Sequence, residues 1–423
     1  MRPPVKRSIT QPAGFFPILV KCLDCYISTP RPRQVLRRSR CNEWKGKCSN
    51  GREMPTLSIP QTSAGFHRPR DYSQTPLNIY WEMTQACALA CRHCRAEAVP
   101  APDPRELTFA EGVAFLEQIK EFGNPLPHLI LTGGDPLARP DLFALIDQAR
   151  SLEIGSSITA AATPKLAREM LIQLKEHGIE GLGLSLDGST PERHDSIRGV
   201  PGTFERTLQA LIWAGELNMP VQVNTLVAAE TADDLPAIFD VLKNLAVTRW
   251  SLFFLIAVGR GKVLQPLTPG EGEKLMEWIY ETSRSAPFTV ATTEAPSYRR
   301  VALGRMRAGG MNGDEVKRSG AYRSFGIRDG HGIMFISHTG DICPAGFLPL
   351  PAGNVRKDRA AEVYRTSPLF QALHDPSHLQ GRCGYCEYKA LCGGSRARAY
   401  GATGDPLADD LFCSYQPVPA PAR

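Results

Sequence analysis

The chain has 423 residues, 42% of them apolar, 22% charged and 8% aromatic, which is long enough for one large α/β domain with a smaller companion or for two mid-sized domains. No stretch approaches the roughly 20 consecutive apolar residues of a membrane-spanning helix; the run 14–20 is closed by Lys21, and a transmembrane protein is excluded. The formal charge of +6 is concentrated at one end: residues 1–53 hold twelve Lys/Arg against three Asp/Glu, leaving −3 for residues 54–423, which argues against a large nucleic-acid-binding surface.

Residues 1–53 are rich in Arg and Pro and lack a sustained helical or strand period, so they cannot bury a core. Three readings compete: a mis-assigned start with the protein beginning at Met54, a disordered basic arm, or a zinc module built on Cys22, Cys25, Cys41 and Cys48. From residue 77 the pattern becomes strand-then-helix alternation. Strands are predicted at 78–84, 127–132, 156–161, 181–187, 221–227 and 250–258, with helices at 108–122, 141–152, 165–177, 203–217 and 234–245. Such β/α repetition implies a parallel sheet covered by helices, and six units favour an α/β partial (β/α)6 TIM-like barrel over a closed one. Functional sites in such folds lie at the carboxyl ends of strands. Residues 54–265 are thus read as the barrel and 266–325 as a bridge holding one helix at 270–283. Residues 326–423 are read as a small loop-rich, cysteine-ligated auxiliary domain opened by a hairpin around 333–342, its deficit of apolar residues made up by metal.

The twelve cysteines fall into tight local groups, which read as metal sites rather than a disulfide framework. Together with the lack of a signal peptide of the usual form, they place the protein in a reducing cytoplasm. Cys87-x3-Cys91-x2-Cys94 directly follows the first strand, where three thiolates hold three corners of a four-iron cluster and leave one iron open. The second strand ends in Gly133-Gly134-Asp135-Pro136, where missing side chains allow close backbone approach; a plain turn is the alternative. Along 181–187 the leucines at 182, 184 and 186 share one face and leave Gly183, Ser185 and Asp187 on the other, while Gln222 and Asn224 alternate with Val221, Val223 and Thr225. Polar residues inside a barrel call for a ligand, with strand-end capping as the alternative for Ser185 and Asp187. In the tail, Cys383-x2-Cys386-x5-Cys392 and then Cys413 supply four thiolates.

The cysteine loop at the top of the first strand resembles that of the radical SAM superfamily, and the tail resembles its SPASM or twitch extension. The resemblance implies that S-adenosylmethionine binds the open iron, that Gly133, Gly134 and Asp135 occupy the family's Gly-Gly-Glu position, and that Ser185, Asp187 and Asn224 face its ribose and carboxylate. Arg198 pairs with the carboxylate or is a solvated loop residue. It further implies a second, auxiliary 4Fe-4S cluster on Cys383, Cys386, Cys392 and Cys413. Arg396 stands where a fourth cysteine of the run is expected, and Cys343 precedes rather than follows its proline, so one auxiliary cluster is expected and Cys343 reads as a lone thiol, with a cluster ligand as the alternative. Arg396 and Arg398 bind substrate carboxylates or neutralise cluster charge. The runs 91–96, 258–261, 353–356 and 392–400 are similar to members acting in haem d1 and alternative haem synthesis. A tetrapyrrole substrate and a flavodoxin- or ferredoxin-like electron donor follow from the resemblance. A peptide-modifying maturase and a non-enzymatic zinc-stabilised binding protein are the competing readings.

Overall fold

The computed structural model describes residues 70–319, 322 and 326–418; the readings offered for residues 1–53 lie outside them. Eight strands run parallel along one sheet: β1 (Asn78–Glu82), β2 (His128–Thr132), β3 (Ser156–Thr159), β4 (Ile179–Ser185), β5 (Val221–Val227), β6 (Arg249–Phe254) and β7 (Thr289–Thr293), with β8 (Ile333–Ile336) beside β1. Antiparallel β9 (Asp341–Cys343) and β10 (Gly353–Asn354) continue from β8, so the sheet ends at β10 and β7 and the barrel stays open.

The alternation expected from the leucines is present. Ile79 and Trp81 of β1 with Met83 just past it, and Leu182 and Leu184 of β4 with Leu186 just past it, are fully buried against the helices, where Trp81 meets Phe115 edge-on at 5.3 Å. Truncating a buried aromatic of that size costs about 3–5 kcal/mol. Asn78, Tyr80 and Glu82 take the opposite, concave face. The covering helices include α1 (Phe109–Ile119), closed at its start by a Thr108–Glu111 capping box, α2 (Leu142–Ser151) and α3 (Arg168–His177).

Three segments differ from expectation. The stretch 190–199 folds as a helix, α4 (Pro191–Arg198), because Thr190 caps Arg193 N and Pro191 occupies the first turn. Beyond it lie the expected α5 (Thr203–Glu216), α6 (Leu235–Leu242) and α7 (Pro269–Ser285). The bridge contributes β7 to the sheet and a further helix, α8 (Tyr298–Ala308). The segment beyond 326 is also joined to the barrel, since β8 pairs with β1 in register Asn78↔Ile333 to Trp81↔Ile336. No helix among the described residues is long and apolar enough to cross a membrane.

The β8–β9 turn is fastened to the end of β1 by ionic contacts. His338 Nδ1 lies 2.6 Å from Glu82, whose other oxygen accepts from Arg95 at 2.7 Å. The hydrogen bond to Glu82 raises the His338 pKa above its ordinary 6.5, against the opposing effect of burial. This contact therefore stabilises the fold fully below pH 6.5, the unfolded value, and its contribution is lost as pH rises through the higher folded pKa. Urea midpoints of wild type and His338→Gln should differ most at acid pH and converge toward pH 9; a gap that widens with pH would contradict this.

Candidate active site

The chain leaves β1 into a loop whose neck is closed by Cys87 N donating to Val99 O (2.8 Å) and Val99 N to Gln85 O (3.1 Å). Inside it, Leu89 N donates to Cys87 Sγ at 3.3 Å and Ala98 N to Cys94 Sγ at 3.4 Å. Cys87, Cys91 and Cys94 are all free thiols, and the first two are buried. Burial pushes the Cys87 thiol up to about 11, and Asp135, Cys91 and Cys94 add to the rise, so each of these three groups lies within electrostatic range of Cys87. Binding a metal takes the proton's place on such a thiol.

Two arginines from distant elements hold the loop. Arg260, just past β6, donates from Nε to Cys91 O and from Nη1 to Ala98 O, both at 3.0 Å. Arg198, the last residue of α4, donates from Nη1 to Cys91 Sγ at 3.7 Å and pairs with Asp187 at 2.6 Å. Gly259 permits this approach: its φ is +52°, and a Cβ there would lie 2.5 Å from Arg95 O. Arg198 Nε, Arg260 Nη2 and His93 Nδ1 are buried without a partner, and burial holds the His93 pKa down to about 4. Unpartnered buried N–H groups beside three thiols fit an anionic, sulfur-rich group. Arg260→Ala should destabilise the protein by about 2–3 kcal/mol, since two charge-assisted bonds are lost, and should speed iron loss to a chelator. Unchanged denaturation and iron release would remove Arg260 from this role.

The Gly133-Gly134-Asp135 turn has a different reason for its glycines than ligand approach alone. A Cβ at Gly133 would lie 2.5 Å from Thr84 O and one at Gly134 2.4 Å from Ala86 O, so the turn packs on the chain leading into the cysteine loop. Asp135 is buried. Its carboxylate accepts from Leu137 N (3.2 Å), Ala161 N (3.4 Å) and Thr163 Oγ1 (3.2 Å), capping a short helical turn and tying β2 to β3. Ser185 and Asn224 are register partners on β4 and β5, half-buried on the concave face, with Gln222 Nε2 donating to Asn224 Oδ1 at 2.8 Å. Asp187 lies just beyond β4, fully buried, accepting from Leu226 N at 2.7 Å as well as pairing with Arg198.

In the tail, Cys386, Cys392 and Cys413 all have raised thiol pKa values, burial being the first cause, and each also responds to another thiol of the set: Cys386 to Cys383 and Cys413, Cys392 to Cys413, and Cys413 to Cys383. Each of the three thus lies within electrostatic range of another thiol of the set, although among the described residues no three such side chains stand close enough together to share a single metal ion. Cys343 does not join them: it is buried on β9, where its neighbours are Asp341, Arg95 and Glu82. Arg396 is fully buried and donates to the carbonyls of Gly394, Pro406 and Ala408 and to Cys383 Sγ at 3.8 Å. Arg398 is engaged by Glu294 O at 2.8 Å and Asp410 at 3.4 Å. Substrate carboxylates thus find neither arginine free. Arg328 Nε, beside Gly393, is buried and unpartnered, which suits an anionic group on these thiols as well.

Residues 81–242 match the radical SAM superfamily model. The chain is 35% identical over 381 residues to the AdoMet-dependent heme synthase of Oleidesulfovibrio alaskensis, covering 88% of this chain and 97% of that one. The chain belongs to the radical SAM superfamily. It is equally similar, at 35% identity, to the AdoMet-dependent heme synthase of Methanosarcina barkeri, with 82% of this chain and 98% of that one covered. A PqqA peptide cyclase of Rhizobium meliloti is 24% identical over 83% of this chain and 92% of its own. Among solved structures, Streptococcus suis SuiB bound to S-adenosylmethionine superposes with a TM-score of 0.61 at 18% identity over 81% of this chain and 78% of that one, a likeness of fold. The protein is thus a radical SAM enzyme, a family that uses S-adenosylmethionine and a 4Fe-4S cluster, and the non-enzymatic zinc reading is set aside. In the sequence Arg260 is marked only within the run 258–261, and nothing local marks Glu82 or His338. The one local signal for Arg260 is Gly259, whose backbone conformation favours glycine.

Proposed function

We propose that this enzyme reductively cleaves S-adenosylmethionine and takes a hydrogen atom from a tetrapyrrole substrate of a haem pathway. The observation that carries the reading is the three-thiol loop at the mouth of an open barrel, with Ser185 and Asn224 on the concave face beneath it. Two relatives at 35% identity, both named heme synthases and matched over nearly their whole length, support the substrate class. A 4Fe-4S cluster held by Cys87, Cys91 and Cys94 would supply the electron for reductive cleavage of the sulfonium. The chain's own part is orientation and exclusion of water. Arg260 and Arg198 keep the thiols in place. Asp135 fixes the Gly133-Gly134 turn through its three hydrogen bonds, which leaves the turn's backbone to meet the methionine end. Ser185 and Asn224 offer polar contacts to the ribose, and the Asp187–Arg198 pair borders the carboxylate end.

Cys383, Cys386, Cys392 and Cys413 are proposed to hold the auxiliary 4Fe-4S cluster. The setting is cytoplasmic and the electron donor of flavodoxin or ferredoxin type. A peptide substrate is the second reading, favoured by the likeness to a PqqA peptide cyclase. Anaerobically reconstituted protein, S-adenosylmethionine and dithionite should be incubated with iron tetrapyrroles bearing carboxylate side chains, with mass detection. Tetrapyrrole-dependent 5′-deoxyadenosine and a mass change in the tetrapyrrole are expected. Turnover of a peptide alone would favour the second reading.

A further inference from the structure

Of the ten strands of the sheet, only β6 contains a lysine or an arginine, and it opens on Arg249. Trp250, Leu252 and Phe254 of this strand are buried in the core beneath the helices, so alternation turns Arg249, Ser251 and Phe253 to the concave face. Strands β1 and β6 run parallel and begin at the same end of the barrel, which places Arg249 with Asn78 at its floor, opposite the thiol loop that follows β1. The register partners of Arg249, Gln222 on β5 and Thr289 on β7, are uncharged. Its guanidinium makes no hydrogen bond or ion pair among the described residues, and the side chain is exposed.

Tyr80 shows where that side chain reaches. It stands half-buried on the concave face of β1, and Arg249 lies within electrostatic range of its hydroxyl. Along the sheet the two strands are five spacings apart, about 24 Å, so the two groups approach each other only across the hollow of the barrel. Asn78, on the same face of β1, is hydrogen-bonded to that hydroxyl, and burial keeps the phenol protonated and able to donate. The carboxylates of the parallel strands are engaged elsewhere, Glu82 with Arg95 and His338, and Glu180 beside His128 at 3.9 Å; Glu294, just past β7, accepts from Ser395 Oγ at 2.5 Å. A guanidinium without a carboxylate, facing a phenol donor, is the protein's half of a carboxylate site. From Asn78 to Glu82 the floor lies about 13 Å below the thiol loop, a span that a large rigid substrate bridges.

We propose that Arg249, with Tyr80, binds a side-chain carboxylate of the tetrapyrrole at the floor of the barrel, on the far side of the macrocycle from the group that reacts at the thiol loop. This rests on the tetrapyrrole reading of the function. The guanidinium offers paired N–H donors to the two carboxylate oxygens, and the Tyr80 hydroxyl adds a third donor. Fixing one carboxylate at the floor also sets which edge of the macrocycle is turned to the mouth, so Arg249 is a specificity residue.

The test is an anaerobic equilibrium titration of the full reconstituted chain, followed in the porphyrin absorption band, with an iron porphyrin bearing free carboxylate side chains and with its methyl ester. The wild type should bind the acid about tenfold or more tightly than the ester. Arg249→Met should weaken binding of the acid by about tenfold and leave the ester nearly unmoved, with iron content at the wild-type level; Arg249→Lys should restore part of the loss. In turnover of the acid, KM should rise by more than kcat falls, as expected for a contact made equally in the ground and transition states. Should Arg249→Met lose its iron, Tyr80→Phe is read in its place, with a smaller loss in the same direction. Equal affinity of the wild type for acid and ester, or an acid affinity unmoved by the variant read, would overturn the inference. A wild-type chain that binds neither porphyrin would instead overturn the tetrapyrrole reading beneath it.

Discussion

Cys91→Ala is expected to remove about four irons from the chain and to abolish S-adenosylmethionine cleavage, because two thiolates rarely hold a four-iron cluster. The structure makes this a clean test of ligation. The Cys91 backbone is held through its carbonyl by Arg260 at 3.0 Å and by Cys94 N at 3.2 Å, contacts an alanine keeps. Arg198 loses its sulfur contact but retains Asp187 at 2.6 Å, so no buried charge is orphaned. The apo variant should therefore unfold near the wild-type denaturant midpoint, with iron content and 5′-deoxyadenosine formation falling together. Wild-type iron in Cys91→Ala would end the assignment of this loop.

Cys413→Ser should also lose about four irons, but from the tail, leaving substrate-independent cleavage of S-adenosylmethionine while product formation fails. The return of the chain from residue 404 to 413 does not depend on the thiol. Arg396 grips the carbonyls of Pro406 and Ala408, Asp410 accepts from Ser395 N at 2.8 Å, and Phe412 packs edge-on to Phe254 at 5.7 Å. Limited proteolysis should thus cut the apo variant and apo wild type alike. Cys343→Ser is the paired control and should keep full iron, since Cys343 sits on β9 among Asp341, Arg95 and Glu82. Full iron in Cys413→Ser together with iron loss in Cys343→Ser would reverse the assignment of the fourth thiolate.

The strands from β1 to β6 were legible because each carries its own period. Leu182, Leu184 and Leu186 point one way whatever lies beyond them, and the mean hydrophobic pattern survives without knowledge of partners. The short strand β7 was not, because Thr289–Thr293 is five residues of modest polarity with every side chain exposed or half-buried, and only pairing with β6 makes it a strand. The same holds for β8. Its apolar run reads as one arm of a hairpin, and nothing within it says that its other edge joins β1, some 250 residues earlier in the chain.

The thiol spacings, the alternation of the strands and the Gly133-Gly134 turn are properties of short segments, so the sequence by itself determined the superfamily and the cysteines to be tested. The partners of the charged groups were decided only by tertiary structure. Arg198 was read as pairing with a ligand carboxylate or standing solvated in a loop, and the fold buries it beside Asp187 and Cys91; Arg396, which stands where a fourth cysteine of the run is expected, proves to be the buried tie of the tail. A cysteine's chemistry is written in its own side chain and its near neighbours. An arginine's depends on which carboxylate, carbonyl or sulfur the fold brings within about 4 Å, where burial makes the interaction strong, and that choice is made between residues far apart in the chain.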